Sequence, residues 1–410
     1  MLEDKPNDTT FPKLRVLILS DVIPVQRSGA GCLTMYRHFI LNQDFEVAVA
    51  AARDFKIADV PTFRIQQDRV TERLRKTRFS RLVRNSDFIR NWHLLPSGLT
   101  SFAKSFKPDV IFSVVDDIHM GLAWRLSRKL GVPLAVDFQD LFAVSNFYPK
   151  IVSPYPWVKN YLLNKYCFLN RESDIVFHVG EGMHDWFGNE ARGDILYPMA
   201  SELERPTTEQ ENHGEEDTPF RILYTGNSRG AYGKMVLRFA KTTIDDPTID
   251  FRIYALGTDI PGDELARLEE AGIYRGYLPF QELMSEMEQA DAFLLVMGFE
   301  DNERAFVSTC FNTKWVDYVS FGKPIIVWGP EYASASRFAN KQEAALAIST
   351  NDAEEVLSAF RRISNDSDLA SQLGAGATLA AKGPLSPRRL QDLLKNRLIS
   401  FVKQNNEERE

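Results

Sequence analysis

Short runs of β-branched and aromatic residues alternate along this chain with stretches whose apolar positions recur every three to four residues. The first pattern predicts strands and the second amphipathic helices, so their succession predicts parallel sheets built from right-handed βαβ units. In the first half, strands are expected at Arg15–Ser20, Glu46–Ala51, Val110–Val114, Leu134–Val136 and Ile175–His178. In the second half they are expected at Arg221–Tyr224, Phe251–Ala255, Ala292–Val296, Pro324–Val327 and Ala345–Ile348. Between the two sets lies Ser201–Pro219, with seven acidic residues, two prolines and almost nothing apolar. Such a segment adds little to a core and marks a natural seam. The predicted architecture is α/β: two Rossmann-like, doubly wound parallel-sheet domains, 1–204 and 205–385, with a ligand expected in a central cleft that both face. A helical pattern over 386–403 (Leu390, Leu393, Leu394, Leu398, Phe401) is expected to pack back onto the first domain, with Gln404–Glu410 fraying.

Composition narrows the class without naming it. The chain has 410 residues, 44% of them hydrophobic and 26% charged, and no apolar run long enough to span a bilayer. Met1–Thr10 is polar and acidic, unlike a secretory signal. Cys32, Cys167 and Cys310 are far apart and lack a CxxC spacing, which argues against a disulfide framework or a zinc site and for a reducing cytoplasm. A net charge of −7 argues against a general nucleic-acid binder.

Five stretches carry candidate chemistry. The strand Arg15–Ser20 leads into a glycine loop containing Gly29 and Gly31, and then into a helix through Ile40. Backbone N–H groups at such a helix start suit a phosphate, although the GxGxxG fingerprint of dinucleotide sites and the Gly-Lys-Ser/Thr of a Walker loop are both missing, and a plain connection fits equally. The strand Arg221–Tyr224 ends in Thr225-Gly226-Asn227-Ser228-Arg229-Gly230-Ala231-Tyr232-Gly233-Lys234, where glycines admit an anion closely and Arg229 and Lys234 can neutralise a diphosphate. Asn312–Ile326 reads as a helix stopped at Gly322 and followed at once by a buried strand. It places Lys314 and Asp317 one turn apart near a strand end, with Thr309 just upstream; Lys314 suits a phosphate and Asp317 ribose hydroxyls, or the two form a surface pair. Finally, Asp116-Asp117-Ile118-His119 and Asp137-Phe138-Gln139-Asp140 follow strand ends, where open α/β sheets place functional loops. His119 or Asp140 can accept a proton from an acceptor hydroxyl there, while Asp116 and Asp117 fit helix caps or turn residues as well.

One further segment inverts the acidic balance. Arg69–Arg90 holds eight basic residues against Glu72 and Asp87, interleaved with Phe79, Leu82, Val83, Phe88 and Ile89. This suits an anionic membrane surface or a lipid-linked diphosphate, or equally a helix that buries its apolar stripe beneath solvated arginines.

Taken in order, Arg15–Gly31, Pro108–Ile111, Gly131–Leu141, Glu172–Met183, Tyr224–Lys234, Gly276–Pro279, Ala290–Leu295 and Lys314–Ile326 resemble the retaining glycosyltransferases of family 4, whose fold is GT-B. The resemblance implies a second domain holding a nucleoside-diphosphate sugar and a first domain holding a glycan or lipid-linked acceptor. It implies transfer with retention and no metal or other cofactor, in the cytoplasm or at the inner membrane face, for cell-surface polysaccharide biosynthesis. Arg229 and Lys234 would grip the diphosphate, Gly29 and Gly31 would contact it, and Thr309, Asn312, Lys314 and Asp317 would complete the donor site. The chain departs from the family at three positions. The paired glutamates fall on Thr309 and Asp317, the first cation of the diphosphate loop is Asn227, and the histidine of the second acceptor-domain loop is Gln139, leaving Asp140 for that role. These departures keep two alternatives: a binding or partner protein without catalysis, and a nucleotide-sugar epimerase.

Overall fold

The computed structural model describes residues 13–26, 30–65, 69–141, 153–200, 218–255 and 257–407. Gly29, the part of the seam at 201–217 and the side chain of Arg69 lie outside the described residues.

Thirteen described strands form two sheets. The first contains β1 (Leu14–Leu19), β2 (Phe45–Ala51), β3 (Thr62–Arg64), β4 (Val110–Val114), β5 (Leu134–Phe138), β6 (Ile175–His178) and β7 (Asp194–Ile195), in the order β3-β2-β1-β4-β5-β6-β7. The second contains β8 (Phe220–Thr225), β9 (Ile249–Tyr254), β10 (Tyr274–Gly276), β11 (Ala292–Val296), β12 (Ile325–Trp328) and β13 (Leu346–Ile348), in the order β10-β9-β8-β11-β12-β13. Both sheets are parallel throughout. In each, the chain starts centrally, winds outward to one edge, then returns to wind the other way, which puts a topological switch point beside β1 and beside β8.

The central strands are mostly apolar, as strands covered on both faces are; every residue of β4, β5, β11 and β12 is buried, Ser113 and Asp137 included. The ten expected strands are present, three with the expected bounds and seven shifted by one or two residues at an end. The three unexpected ones, β3, β7 and β10, are two- or three-residue edge strands with little apolar signal. The second sheet's core is built from Phe239, Phe251, Phe360 and Trp328 with the aliphatic residues around them. Phe239 meets Phe251 edge-on at 4.8 Å and Phe360 at 5.6 Å.

The described chain divides into two compact units, 1–137 with 172–176 and 395–410, and 138–171 with 177–394. In the first, Lys395 of the helix Pro387–Glu407 pairs with Asp44 just before β2, at 2.7 Å. In the second, the backbone of the helix Glu181–Trp186 packs so tightly on Arg304–Thr309 that a Cβ at Gly182 would lie 2.0 Å from the Ser308 carbonyl oxygen.

Candidate functional site

At the C-terminal end of β8 the chain turns outward in a loop held from several sides. Buried Tyr224 donates its hydroxyl to the Asn227 carbonyl, and the Asn227 side chain accepts the Arg229 N–H at 3.1 Å. Ser228 donates to the Gly257 carbonyl at 3.2 Å, and Thr258 returns a bond to the Ser228 carbonyl at 3.1 Å. The helix Gly230–Thr243 then begins, with the Gly230 N–H donated to Asp259 at 2.7 Å. Gly226 has φ +101°, and a Cβ there would come within 3.0 Å of the Lys314 side chain. Only glycine therefore meets both the backbone conformation and the close approach.

Lys314 opens the short helix Lys314–Tyr318, its backbone N–H held by the Asn312 side chain at 3.0 Å. Its ammonium lies 3.3 Å from the Tyr224 hydroxyl and over the rings of Tyr224 and Tyr232, at 4.7 and 5.6 Å from their centroids. It has no ion-pair partner among the described residues, and desolvation pulls its pKa down to about 8. A half-buried cation supported only by aromatic rings and a phenol is electrostatically unfinished, so an anion brought to it would be strongly favoured. Asp317 sits half-buried at the other end of this helical turn.

The remaining donor-side candidates divide. Lys234, in the first turns of the helix after the loop, is exposed and pairs with Glu300 at 3.1 Å. Arg229 is exposed, and its guanidinium lies against Gly257, where a Cβ would be 2.6 Å from Nη2. Thr309 is 2% exposed and bonds back within its own helix, to the carbonyls of Ala305 at 2.8 Å and Phe306 at 3.3 Å. Its hydroxyl proton is therefore committed to the backbone. Gly31 stands in the first turn of the helix Ala30–Tyr36.

The two acid–base candidates differ in kind. Asp140 follows β5 and is half-buried, and desolvation pushes its pKa up to about 6. Its charge in turn raises the Tyr232 phenol and the Cys310 thiol, after the larger effect of burial on each, so all three share one neighbourhood with Lys314. His119 has no exposure at all. Its Nδ1 lies 2.9 Å from Asp116 and its Nε2 3.7 Å from Asp21. Burial opposes its charge, but the two carboxylates prevail and hold its pKa at about 9. It is thus an imidazolium at neutral pH, and it ties the loop after β4 to the loop after β1. Asp116 also accepts from the Ser20 hydroxyl at 3.2 Å and the Asp21 N–H at 3.1 Å, and Asp21 accepts from Ala52 and Arg53 at 2.9 and 3.2 Å.

Tyr224 and Tyr232 are site residues that the sequence does not single out, whereas Glu303 is visible only as an acid just upstream of the Lys314 helix. The tyrosines were visible as aromatics flanking the glycine loop, but nothing in their spacing announced a cage around Lys314.

The basic segment folds as the helices Arg69–Leu74 and Ser80–Arg90. Asp87, 2% exposed, is paired with both Arg75 and Arg90, the latter at 2.7 Å, so part of the basic excess is neutralised internally. Leu74, Phe79, Leu82 and Leu94 are nonetheless exposed, by 38, 45, 55 and 61%, among exposed Arg73, Lys76 and Arg78. No helix among the described residues is long and apolar enough to cross a membrane.

No family model matches the chain, and no curated protein matches it. Solved structures do. HepE from Anabaena, in complex with UDP and glucose, aligns with a TM-score of 0.64 and 12% identity over 95% of this chain and 100% of its own. A glycosyltransferase from Rickettsia africae aligns with a TM-score of 0.62 and 13% identity over 96% and 99% of the two chains. Sucrose-phosphate synthase from Thermosynechococcus elongatus aligns with a TM-score of 0.59 and 13% identity over 96% and 98%. At these identities the likeness is one of fold, and that fold is GT-B.

Proposed function

We propose that this protein is a glycosyltransferase that moves a sugar from a nucleoside-diphosphate sugar to a glycan or lipid-linked acceptor. The observation that carries the reading is Lys314, a desolvated ammonium without an ion-pair partner among the described residues, beneath a glycine loop at the switch point of the second sheet. In this reading the diphosphate lies on the Gly226–Gly230 backbone against Lys314, with Arg229 and Lys234 turning toward it from solvent, and Asp317 takes the ribose hydroxyls. These cations balance the charge that develops as the bond between the anomeric carbon and the phosphate oxygen breaks, so no metal or other cofactor is required. The acceptor oxygen forms the new bond to that carbon. Its proton passes to the leaving phosphate, as retention would favour, or to Asp140, whose raised pKa suits proton exchange near neutrality. His119, with Gly31 in the first turn of the helix Ala30–Tyr36, belongs to the acceptor-side framework. We assign 1–204 to the acceptor and 205–385 to the donor. Solved HepE carrying UDP and glucose, on the same fold, supports the choice of ligand class.

Thr309 favours a second reading. With its hydroxyl bonded into its own helix it offers the sugar no acid, so a protein that binds a nucleotide sugar without turning it over is also consistent. Incubation with nucleoside-diphosphate hexoses and membrane-derived acceptor, followed by measurement of released nucleoside diphosphate, separates the readings. Acceptor-dependent release is expected. Tight binding without release would leave the binding protein, and conversion of the donor sugar without acceptor would indicate an epimerase.

The exposed Leu74, Phe79 and Leu82 beside Arg73, Lys76 and Arg78 suit an anionic bilayer at the cytoplasmic face, where a lipid-linked precursor of surface polysaccharide would be met. Sedimentation with vesicles of 30% anionic lipid is expected to carry down the wild type and leave an R73E/K76E/R78E variant in solution. Equal sedimentation of both would retire this surface.

A further inference from the structure

Thr309 raises the question of which residue does recognise the sugar. The region beyond β11 contains one acid whose position is unusual. Glu303 ends the short turn Asp301–Glu303 and folds back over Gly298, where a Cβ would lie 1.9 Å from its Oε2. That oxygen is buried and has no hydrogen-bond partner among the described residues. Glycine at 298 thus makes room for a carboxylate oxygen that no described residue satisfies. A buried carboxylate oxygen without a donor is costly, and such orphans occur where a ligand supplies the missing group.

Its surroundings place it within the donor neighbourhood. A Cβ at Gly298 would also touch Ala231, one residue before the Tyr232 that caps Lys314. Burial and the nearby Glu300 raise the Glu303 pKa, while Lys234 works against them. Glu303 also raises the Tyr232 phenol, after burial and the effects of Cys310, Tyr224 and Asp140. Glu300 is occupied by Lys234 at 3.1 Å, which leaves Glu303 as the acid available to a neutral donor.

We propose that Glu303 is the sugar-recognising residue of this site, its half-buried carboxylate turning out from over Gly298 to accept a hydrogen bond from a hydroxyl of the bound hexose. The assignment rests on the donor-site reading above. It also explains how that site manages with threonine at 309: the acid has moved six residues toward β11. A group that meets only the sugar should discriminate between a nucleoside diphosphate and its hexose derivative, because the orphan oxygen is satisfied only in the second complex.

The test is calorimetric titration of the full chain with UDP, GDP, ADP and dTDP, and with the hexose derivative of each. In the wild type one hexose derivative is expected to bind more tightly than its parent diphosphate. In Glu303→Ala the parent should bind as before, while the hexose derivative loses about 10- to 100-fold in affinity, the range for a hydrogen bond to a charged group. Glu303→Gln, which keeps the shape and gives up the charge, should fall between the two and guards against a variant that fails to fold. Equal weakening of parent and hexose derivative in both variants, or no weakening of either, overturns the role of Glu303 alone. If the wild type binds none of the eight compounds, the donor-site reading falls and this assignment falls with it.

Discussion

Replacing Lys314 with methionine is expected to lower affinity for the nucleoside diphosphate by about 100-fold or more, while the protein without ligand becomes more stable. Both effects have one cause. The Lys314 ammonium sits among Tyr224, Tyr232 and the Gly226 loop, with no ion-pair partner among the described residues. A charge-assisted bond to phosphate in such a place is worth more than one in water. Without the phosphate the same charge costs stability. Its folded pKa is lowered from 10.5 to about 8, so the folded state holds fewer protons than the unfolded state between those values. Stability should therefore rise with pH from about 8 to 10.5, and the full cost should be present below 8. At 1.36 kcal/mol per unit the cost is on the order of 3 kcal/mol, and the partial exposure of Lys314 makes that an upper bound. Diphosphate affinity has the opposite dependence: it should weaken as pH rises above 8, with a proton taken up on binding. Urea midpoints and titrations at pH 7 and 9.5 measure both signs, and a methionine variant with unchanged affinity would remove Lys314 from the site.

Replacing His119 with phenylalanine should instead destabilise the protein, by about 3–5 kcal/mol, because it leaves Asp116 and Asp21 facing each other without the cation between them. Here the folded pKa is raised, from 6.5 to about 9. The contribution is complete below pH 6.5 and disappears as pH rises through 9. The gap between wild type and variant should accordingly shrink across that window. The groups that face this imidazole are Asp116 and Asp21, with Arg53 opposing them more weakly. A gap that stays constant from pH 6 to 9.5 would show that the imidazole is neutral when folded, and would restore it as a candidate base.

The fold was largely legible because its strands are buried on both faces, and a run such as Ala292–Val296 has no other comfortable home. β3, β7 and β10 were not legible, since two or three half-exposed residues leave no pattern and form only because a neighbouring strand offers its edge. At the site, the turn at Gly322, with φ +61°, and the strand after it followed from the sequence. Lys314 and Asp140 were legible as positions at strand ends. What the sequence did not carry was their surroundings. That Thr309 points its hydroxyl at Ala305, that Arg229 lies on Gly257, and that Glu303 keeps one oxygen free over Gly298 all depend on side-chain conformations set by distant contacts. His119 shows the same limit: a histidine after a strand suggests a base, and only its two carboxylate neighbours make it an imidazolium.

Binding of a nucleoside diphosphate by the loop after β8 and the helix beginning at Lys314 is tested by thermal unfolding of the wild type and of Lys314→Met with UDP, GDP, ADP, CDP and dTDP. With a ligand at about one hundredfold its Kd, the wild type should melt about 5 °C higher with at least one of them, and the variant should show no shift. A wild type that none of the five stabilises at millimolar concentration, or a variant that shifts as much as the wild type, would contradict it.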